Sequence, residues 1–354
     1  MTAQTSPIET FDRMNATDEQ FSSITDLRNK LGVEANPDDP PNTVENIKLQ
    51  MQNIPPVYEF HSWVSWDDSG AKAVAQLVVP KMETNQHIVQ FDISVLPEYR
   101  RQGLATAFLS PIVAVTEREG RRLMITNSNS NVPAGEKFME ALGANLGLST
   151  RRNDLLIVDV DRALVRSWID RASERAAGFD LVEFVGPYPE DELSAIATMQ
   201  LAINTMPTDD LDVEDMKFTP EHLKQMDDAM VARGNDRWSL VAREKSTGKY
   251  VGWTDLMFNP SKPKLADVGG TAVSSDYKNL GLGRWLKAAI LQKLLDEKPE
   301  VERVRTGNAQ SNAPMLKIND EMGFKPALTM NLWQVELDKV KEYLARHSLV
   351  AETA

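Results

Sequence analysis

The chain has 354 residues, of which 42% are hydrophobic and 26% are charged, and it contains no cysteine. A single hydrophobic core stops growing at roughly 250–300 residues, so two domains are expected, and the ordinary composition argues against a disordered or fibrous protein. The lack of cysteine excludes disulfides, thiolate nucleophiles and cysteine-ligated metal sites, and it favours a reducing cytoplasm.

The formal net charge of −13 argues against a nucleic-acid partner, because affinity for the phosphate backbone comes mostly from clustered Lys and Arg. Residues 1–20 are polar, and no run of 18 apolar residues occurs, so neither secretion nor a membrane partner is expected. An anionic ligand would need a local cluster of basic residues, whereas the overall charge weakly favours an amine.

The first half of the chain predicts helices, then strands, then an alternation of the two. Apolar spacing and β-branched content support this order. The predicted helices cover residues 17–31 and 43–52, and the predicted strands cover residues 58–66, 72–79, 87–95, 123–126 and 155–160. A further short helix is expected to end at Leu142-Gly143.

Residues 161–177 read as a connecting helix, with Leu164, Trp168 and Ala172 at helical spacing. The second half then repeats the first. A strand is predicted over residues 181–185, a helix over 190–204, an acidic loop over 209–215, and strands over 237–243, 250–258, 265–273 and 304–306. The predicted domains are residues 1–160 and 179–354, joined by the connecting segment 161–178.

An internal repeat links the two halves. Residues 95–105 (VLPEYRRQGLA) reappear as residues 273–283 (VSSDYKNLGLG), and Val95 to Val273 and Gly103 to Gly281 are both shifts of 178 residues. The order of predicted strands and helices around both motifs is also the same. Such self-similarity indicates a duplicated domain.

Each repeated motif lies where a strand ends and a helix begins. Apolar residues after Gly281 follow helical spacing, so the glycines fall at the first helical turn, where unpaired backbone N–H groups and the helix dipole favour an anion. Glycine lets a pyrophosphate approach the backbone closely. Basic residues cluster there in both copies: Arg100 and Arg101 in the first, and Lys278, Arg284 and Lys287 in the second.

Other interpretations of these turns are weaker. The sequence lacks a Gly-x-x-x-x-Gly-Lys-Ser/Thr motif, and the second turn lacks the third glycine of a dinucleotide fingerprint. For a single turn, glycine used only for tight strand-to-helix packing explains the pattern equally well. Duplication together with the basic neighbours favours anion binding.

The motif Arg100-x-x-Gly103-x-Ala105 resembles the acyl-coenzyme A motif of the GNAT superfamily of N-acetyltransferases, and Lys278-x-x-Gly281-x-Gly283 departs from it only at its first position. Residues 306–324 are similar to the second half of that family. The resemblance implies an α/β (α+β) fold class with two tandem domains. Each would be a mixed, mostly antiparallel sheet flanked by helices, with a bulged strand that splays from its parallel neighbour.

The resemblance also implies acetyl-CoA as cofactor, held by two sets of residues around the turns. The first set is Val95, Arg100, Arg101, Gln102, Gly103, Leu104, Ala105 and Thr106. The second set is Ala272, Val273, Lys278, Gly281, Leu282, Gly283, Arg284, Trp285, Asn308, Asn312 and Asn319. In this family a backbone N–H near Val273 or Val95 would bond the thioester carbonyl, while an amine attacks directly.

The general base is expected among carboxylates, since the four histidines lie far apart without metal-ligand spacing. Asp267 and Asp92 rank first because they lie on strands beside the expected thioester, and Glu59 and Asp255 follow. For each of them, a solvated strand carboxylate is the competing interpretation. The tyrosine acid usual in the family is missing, because its position is Asn319 in one copy and Met139 in the other.

The leading hypothesis is transfer of an acetyl group to the primary amine of a small molecule, with the second copy catalytic. That copy has Gly283 and a regular helix, whereas Pro111 falls inside the corresponding helix of the first copy. A cleft lined partly by residues 209–215 is expected to select an amino sugar, polyamine or similar amine. A non-catalytic acyl-CoA sensor and a purely structural fusion remain alternatives, and the oligomeric state stays open.

Overall fold

The computed structural model describes residues 8–352, which contain twelve β-strands and ten α-helices. The strands are β1 (Ile8–Thr10), β2 (Tyr58–Asp67), β3 (Gly70–Pro80), β4 (Ile88–Val95), β5 (Leu123–Asn129), β6 (Asn145–Leu156), β7 (Phe179–Val185), β8 (Asp236–Glu244), β9 (Tyr250–Phe258), β10 (Leu265–Val273), β11 (Arg303–Ala309) and β12 (Lys325–Glu336). The helices are α1 (Asp18–Ala35), α2 (Val44–Gln52), α3 (Leu104–Arg118), α4 (Pro133–Leu142), α5 (Arg162–Arg175), α6 (Leu193–Gln200), α7 (Pro220–Ala232), α8 (Leu282–Glu297), α9 (Ala313–Glu321) and α10 (Leu337–Glu352).

Local signals in the sequence explain where several helices begin. Thr17 and Gln20 form a capping box at the start of α1, because the Thr17 hydroxyl accepts the Gln20 N–H and the Gln20 side chain accepts the Thr17 N–H. Asp161 is the N-cap of α5, with its carboxylate accepting the N–H groups of residues 163 and 164. In α3, the helix continues through Pro111.

The first compact unit contains residues 8–149, 210–213 and 330–352 of the described chain. Its sheet has the strand order β1-β2-β3-β4-β5-β12. All neighbouring pairs are antiparallel except β4 and β5, which are parallel. Helices α3 and α10 cover one face, where Phe108, Leu109 and Ile112 are fully buried, and α1 and α2 cover the other.

The second compact unit contains residues 150–209 and 214–329. Its strand order is β7-β8-β9-β10-β11-β6, again antiparallel except for the parallel pair β10 and β11. Helices α5 and α8 pack on one face, and α6 and α7 pack on the other. Two mixed, mostly antiparallel sheets flanked by helices, each with one central parallel pair, confirm the predicted fold class.

Each unit takes its last strand from the other repeat. Residues 150–156 of β6 follow the first repeat in the chain but pair with β11 of the second, and residues 330–336 of β12 pair with β5 of the first. The predicted division at residues 160 and 178 follows the order of the repeats along the chain, whereas the units of the structure exchange these strands. The bounds of the strand predicted over residues 155–160 were wrong, because β6 runs from Asn145 to Leu156 and residues 157–159 form a 3-10 turn.

Within residues 8–352, no helix combines the length and apolar content needed to cross a membrane.

Candidate functional site: the two glycine turns and the strands that lead into them

Two turns of the same backbone shape join a strand to a helix in the two units. In the first turn, Arg101 and Gly103 have φ angles of 61° and 84°, and in the second, Asn279 and Gly281 have φ angles of 66° and 83°. A positive φ is uncommon for any residue other than glycine. The agreement at both positions therefore extends the repeat from sequence to backbone conformation.

Backbone N–H groups at the start of α8 are available to a ligand. The first backbone hydrogen bond of this helix runs from the Trp285 N–H to the Gly281 carbonyl at 3.1 Å, so the three N–H groups before it have no acceptor within the helix. No described side chain caps this end. A Cβ placed on Gly281 would have no atom within 4 Å, so the space beside the turn is open. Open N–H groups at the positive end of a helix dipole fit a pyrophosphate.

The strand that leads into the second turn is bulged and separates from its parallel neighbour. β10 pairs with β11 only over residues 265–267. The register between β10 and β9 shifts on the two sides of Gly269, which makes this glycine the extra residue of a β-bulge. Beyond Asp267 the edge of β10 that faces β11 has no ladder partner in the described chain. Such an edge can offer backbone N–H groups to a ligand carbonyl.

In the first unit only half of this arrangement is present. β4 pairs with β5 over residues 88–90 alone, so the parallel strands splay as they do in the second unit. The ladder between β3 and β4 nevertheless keeps one register from residue 90 to residue 95, without a bulge in the described pairing. The bulge that the family resemblance implied for both copies is therefore wrong for the first copy.

The cation of the first turn is engaged by the protein itself. The Arg100 guanidinium forms two hydrogen bonds with the Glu34 carboxylate, at 2.8 and 2.5 Å, and its Nε donates to the Val95 carbonyl at 3.1 Å. The side-chain amides of Asn129 and Asn131 both donate to the carbonyl of Ala35, the last residue of α1. The end of α1 thus contacts the first turn through Arg100 and the end of β5 through Asn129.

In the second turn, the Lys278 side chain is exposed and forms no ion pair or hydrogen bond with the described residues. Arg284, one turn into α8, forms hydrogen bonds of 3.0–3.2 Å with the Glu321 carboxylate and lies over the Trp168 ring, 5.4 Å from its centroid. Lys287 is 4% exposed and lies 5.4 Å from the centroid of the Phe324 ring, and burial lowers its pKa to about 8, so it does not face a ligand as the sequence indicated. Lys278 is therefore the exposed cation of this turn without a charged partner, although it is the position that departs from the family motif.

A cavity of about 300 Å³ opens beside the second turn, within the second unit. The turn and α8 contribute Leu280, Gly281 and Arg284, and α9 contributes Glu321. The remaining wall is a stripe of α5: Trp168, Arg171, Ala172 and Arg175. Three guanidinium groups and one carboxylate line this space, so its wall is cationic in a protein with a formal net charge of −13.

Several predicted cofactor residues have side chains that serve other roles. Leu282, Leu104 and Ala272 are at most 6% exposed and belong to the hydrophobic cores, so only their backbone can face a ligand. The Gln102 amide donates to the Glu98 carbonyl at 2.9 Å. In the first unit, the Thr106 hydroxyl lies 3.3 Å from the hydroxyl of Tyr343 on α10.

The three predicted asparagines divide into a helix cap and a buried pair. Asn312 caps α9 by accepting the Met315 N–H at 3.3 Å. Asn319 is fully buried, and its side-chain amide donates to the side-chain Oδ1 of Asn308 at 2.6 Å. The side-chain Oδ1 of Asn319 has no hydrogen-bond partner in the described chain. An amide cannot supply a proton to a leaving thiolate, so this pair can bind or position but cannot act as an acid.

The two carboxylates ranked first as base lie in different surroundings. Asp267 is half-buried at the last paired position of β10, immediately before the bulged segment and opposite Arg305 of β11. Asp92 on β4 accepts the Ser94 hydroxyl at 2.9 Å. Burial raises the pKa of Asp92, while the Ser94 hydrogen bond and the nearby Arg28 charge lower it.

Glu59, ranked next, is tied into an ion-pair network. Its carboxylate contacts Lys81 at 2.7 Å, His61 at 2.7 Å and Arg118 at 3.0 Å. The hydrogen bond from Lys81 is the largest cause of its lowered pKa. A carboxylate stabilised in its charged form by three partners is a poor proton acceptor, so Glu59 belongs to the surface ion pairs.

Asp255 on β9 belongs to a buried polar cluster of the second unit. Burial raises the pKa of its carboxyl to about 6, although the Ser239 hydroxyl, the Arg237 charge and the Trp253 indole oppose this shift. The Asp255 Oδ1 has no hydrogen-bond partner among the described residues. A Cβ added to the bulge residue Gly269 would lie 3.4 Å from the Asp255 Cβ. This carboxylate therefore borders the bulge. In the sequence, the signal that could have marked Asp255 as a site residue is a carboxylate within an otherwise apolar strand.

Arg237 in the same cluster is neutralised by Asp227. The two side chains form hydrogen bonds of 2.7 and 3.2 Å, and the Arg237 guanidinium lies 3.7 Å from the centroid of the Tyr188 ring. The Tyr188 hydroxyl lies 3.0 Å from the Ser239 Oγ. The charge of Arg237 is thus largely committed to Asp227, which leaves Asp255 as the carboxylate of the cluster with an unbonded oxygen.

The acidic loop is less available than its sequence indicates. Asp212 forms an ion pair with Arg122 at 2.6 Å and lies 3.5 Å from the His87 Nε2, and Asp209 accepts the Ser311 hydroxyl at 2.7 Å. The charges on these two residues are therefore partly compensated within the protein.

Comparison with known proteins agrees with this geometry. Residues 205–324, which include the second turn, match the model of the Acetyltransferase (GNAT) family. A tandem GNAT protein from the clavulanic acid biosynthesis pathway is similar over 94% of this chain and 98% of its own, with a TM-score of 0.75 and 20% identity. A GCN5-related N-acetyltransferase from Sphaerobacter thermophilus is similar over 95% and 97% of the two chains, with a TM-score of 0.65 and 14% identity. Among curated protein sequences, none matches the chain.

The fold is that of a GNAT acetyltransferase, and the stretch that matches the family model contains the second glycine turn. More specifically, the chain has a tandem GNAT fold, because the fold is present twice and the similarity to a tandem GNAT structure extends over both copies. The resemblance inferred from residues 95–105 and 273–283 is confirmed.

Proposed function

We propose that the chain is an N-acetyltransferase that transfers the acetyl group of acetyl-CoA to the primary amine of a small molecule. The observation that carries this proposal is the second turn, where a bulged and splayed strand leads into open helix N–H groups beside a free lysine. When bound, acetyl-CoA supplies a thioester whose acyl carbon accepts the amine. The proposal places the whole reaction in a ternary complex without a covalent enzyme intermediate.

The open N–H groups of residues 282–284 would hold the pyrophosphate, with Lys278 as its counter-charge. The cradle fits this group, because a Cβ on Gly281 has no neighbour within 4 Å and one on Gly283 would meet only the Ile318 Cδ1, at 3.8 Å. A backbone N–H on the free edge of β10, near Val273, would hold the thioester carbonyl.

Asp267 is our proposed general base in the second unit, and Asp92 is its counterpart candidate in the first. Asp267 lies where β10 separates from β11, which is where the amine must approach the thioester. Its carboxylate would take the proton that the amine loses on attack. With Asn319 at the position of the usual tyrosine, solvent water is the proposed proton source for the leaving thiolate.

The second unit is proposed as the active one, with one cofactor per chain. In the first unit the Arg100 guanidinium is paired with Glu34, and β4 lacks the bulge over its described ladder. Both features make the first turn a poorer site for an anion and a thioester. The cytoplasm is the proposed location of this activity.

A non-catalytic acyl-CoA sensor is the second candidate, and Asn319 is the observation that favours it. This residue is fully buried and bonded to Asn308, so the second unit has an amide where an acid would be placed. A sensor would bind the cofactor without turnover.

A titration with coenzyme A, followed by an assay of thiol release, tests these proposals. We expect calorimetry to give one site per chain, and we expect acetyl-CoA to release thiol in the presence of a suitable member of an amine library. Binding without turnover on any amine would support the sensor. Two sites would contradict the proposal that the first unit binds no cofactor, and no binding would contradict both functions.

A further inference from the structure

We propose that Arg171 and Arg175 of α5 bind the ribose 3′-phosphate of coenzyme A. This arginine pair belongs to the helix between the two repeats, outside the family motif. The inference rests on the proposed cofactor function and extends the site from the turn to α5.

The arginine pair lies on the stripe of α5 that faces α8. Trp168, Arg171, Ala172 and Arg175 follow the spacing i, i+3, i+4 and i+7, so they share one face of the helix. Trp168 and Ala172 are 6% and 7% exposed. Arg171 and Arg175 lie beside them, are exposed, and line the cavity that opens at Gly281.

Neither guanidinium of the pair has a partner within the described chain. Arg171 and Arg175 form no ion pair or hydrogen bond there, whereas Arg284 on the opposite wall is bonded to Glu321. Like charges at i and i+4 repel one another on a helix surface. Two unpaired cations of the same sign in one cavity are stabilised by a bound anion.

Phosphate is the anion that best fits this wall. A guanidinium presents two parallel N–H groups that match two phosphate oxygens, and charge-assisted bonds of this type are the stronger ones. Coenzyme A carries a pyrophosphate and, on its ribose, a separate monophosphate. With the pyrophosphate on the turn at Gly281, the monophosphate is the group that the adjacent arginine pair would receive.

The first unit has different chemistry at the corresponding helix packing. There α10 packs on α3, and the Tyr343 and His347 rings stack with their centroids 4.0 Å apart. The Tyr343 hydroxyl lies 3.3 Å from the Thr106 hydroxyl, at the start of α3. The side chains where α10 packs on α3 therefore differ from those where α5 packs on α8.

Calorimetric binding of coenzyme A and of 3′-dephospho-coenzyme A to the full chain tests this inference. The wild type is expected to bind coenzyme A at least about tenfold more tightly, since a charge-assisted hydrogen bond contributes about 1.5–3 kcal/mol. The double variant Arg171→Gln/Arg175→Gln is expected to bind both ligands equally, with the affinity for the dephospho form unchanged. Arg166→Gln is the matched control, because Arg166 is an exposed, unpaired arginine of α5 outside the cavity wall.

Each result separates this inference from the proposed function. If the wild type binds both ligands equally, the arginine pair does not bind the 3′-phosphate, and the proposed cofactor function is unaffected. If the preference survives in the double variant, the 3′-phosphate binds elsewhere. If neither ligand binds the folded wild type, the cofactor function and this inference both fail. Circular dichroism of each variant establishes that the fold is retained.

Discussion

Replacing Asp255 by asparagine is expected to stabilise the second unit at neutral and alkaline pH. Burial raises the pKa of this carboxyl from 3.8 to about 6 in the folded chain. A shift of about two pKa units corresponds to about 3 kcal/mol of stability lost once the carboxyl is ionised in both the folded and the unfolded states. Between pH 4 and 6 the folded chain keeps a proton that the unfolded chain has released, so stability falls as pH rises through this window.

Asparagine has nearly the same shape and cannot ionise, so the variant should gain about 3 kcal/mol above pH 7 and almost nothing below pH 4. Urea unfolding at pH 4, 6 and 8, followed by tryptophan fluorescence, measures this difference. Asp215→Asn, which changes an exposed carboxylate of the same unit, is the control and should give no pH-dependent gain. A gain for Asp255→Asn that is the same at all three pH values would refute the reasoning, as would a loss of stability at pH 8.

Three further substitutions have defined outcomes. Gly283→Val should weaken acetyl-CoA binding at least about tenfold in calorimetry, because the valine side chain would block access to the open N–H groups. Folding should be retained, because the added Cβ would meet only Ile318. Unchanged affinity would place the cofactor elsewhere. Asp227→Asn should lower the free energy of unfolding in urea by about 3–5 kcal/mol, because Arg237 loses its ion partner in the interior, and a loss under 1 kcal/mol would contradict this. Asp267→Asn should lower kcat for thiol release by about 10²–10⁴-fold with unaltered cofactor affinity, whereas an unchanged kcat would exclude it as the base.

The sequence was sufficient for the elements that surround the second turn. The strand predicted over residues 265–273 has the same bounds as β10, and the helix expected after Gly281 is α8. Both depend on local signals, namely the alternation of side chains along a strand and the glycine at the first helical turn. The same signals occur in the first repeat, which is why the tandem arrangement could be read without a structure.

Features that depend on distant parts of the chain could not be read in this way. The ion pair of Arg100 with Glu34 joins residues far apart in sequence, and no local sequence pattern indicates that these two residues pair. Likewise, the sequence around Asp255 does not distinguish it from a solvated strand carboxylate. Its burial depends on strands and helices from other parts of the chain, which exclude water. The exchange of β6 and β12 is also invisible to local patterns, because a strand alternates in the same way whichever neighbour it pairs with.

The exchanged strands have a consequence for the order of folding during synthesis. The sheet of the first unit is completed by residues 330–336, which pair with β5 and are synthesised only after the intervening residues 130–329. Contacts of such long sequence separation form late, because the loop between them must first be closed. We therefore expect the sheet of the first unit to stay incomplete until the C-terminal repeat has been synthesised. A fragment that ends at residue 160 is expected to expose the unpaired edge of β5. The two repeats are separate copies in sequence, but we expect the first to complete its fold only after the second has been synthesised.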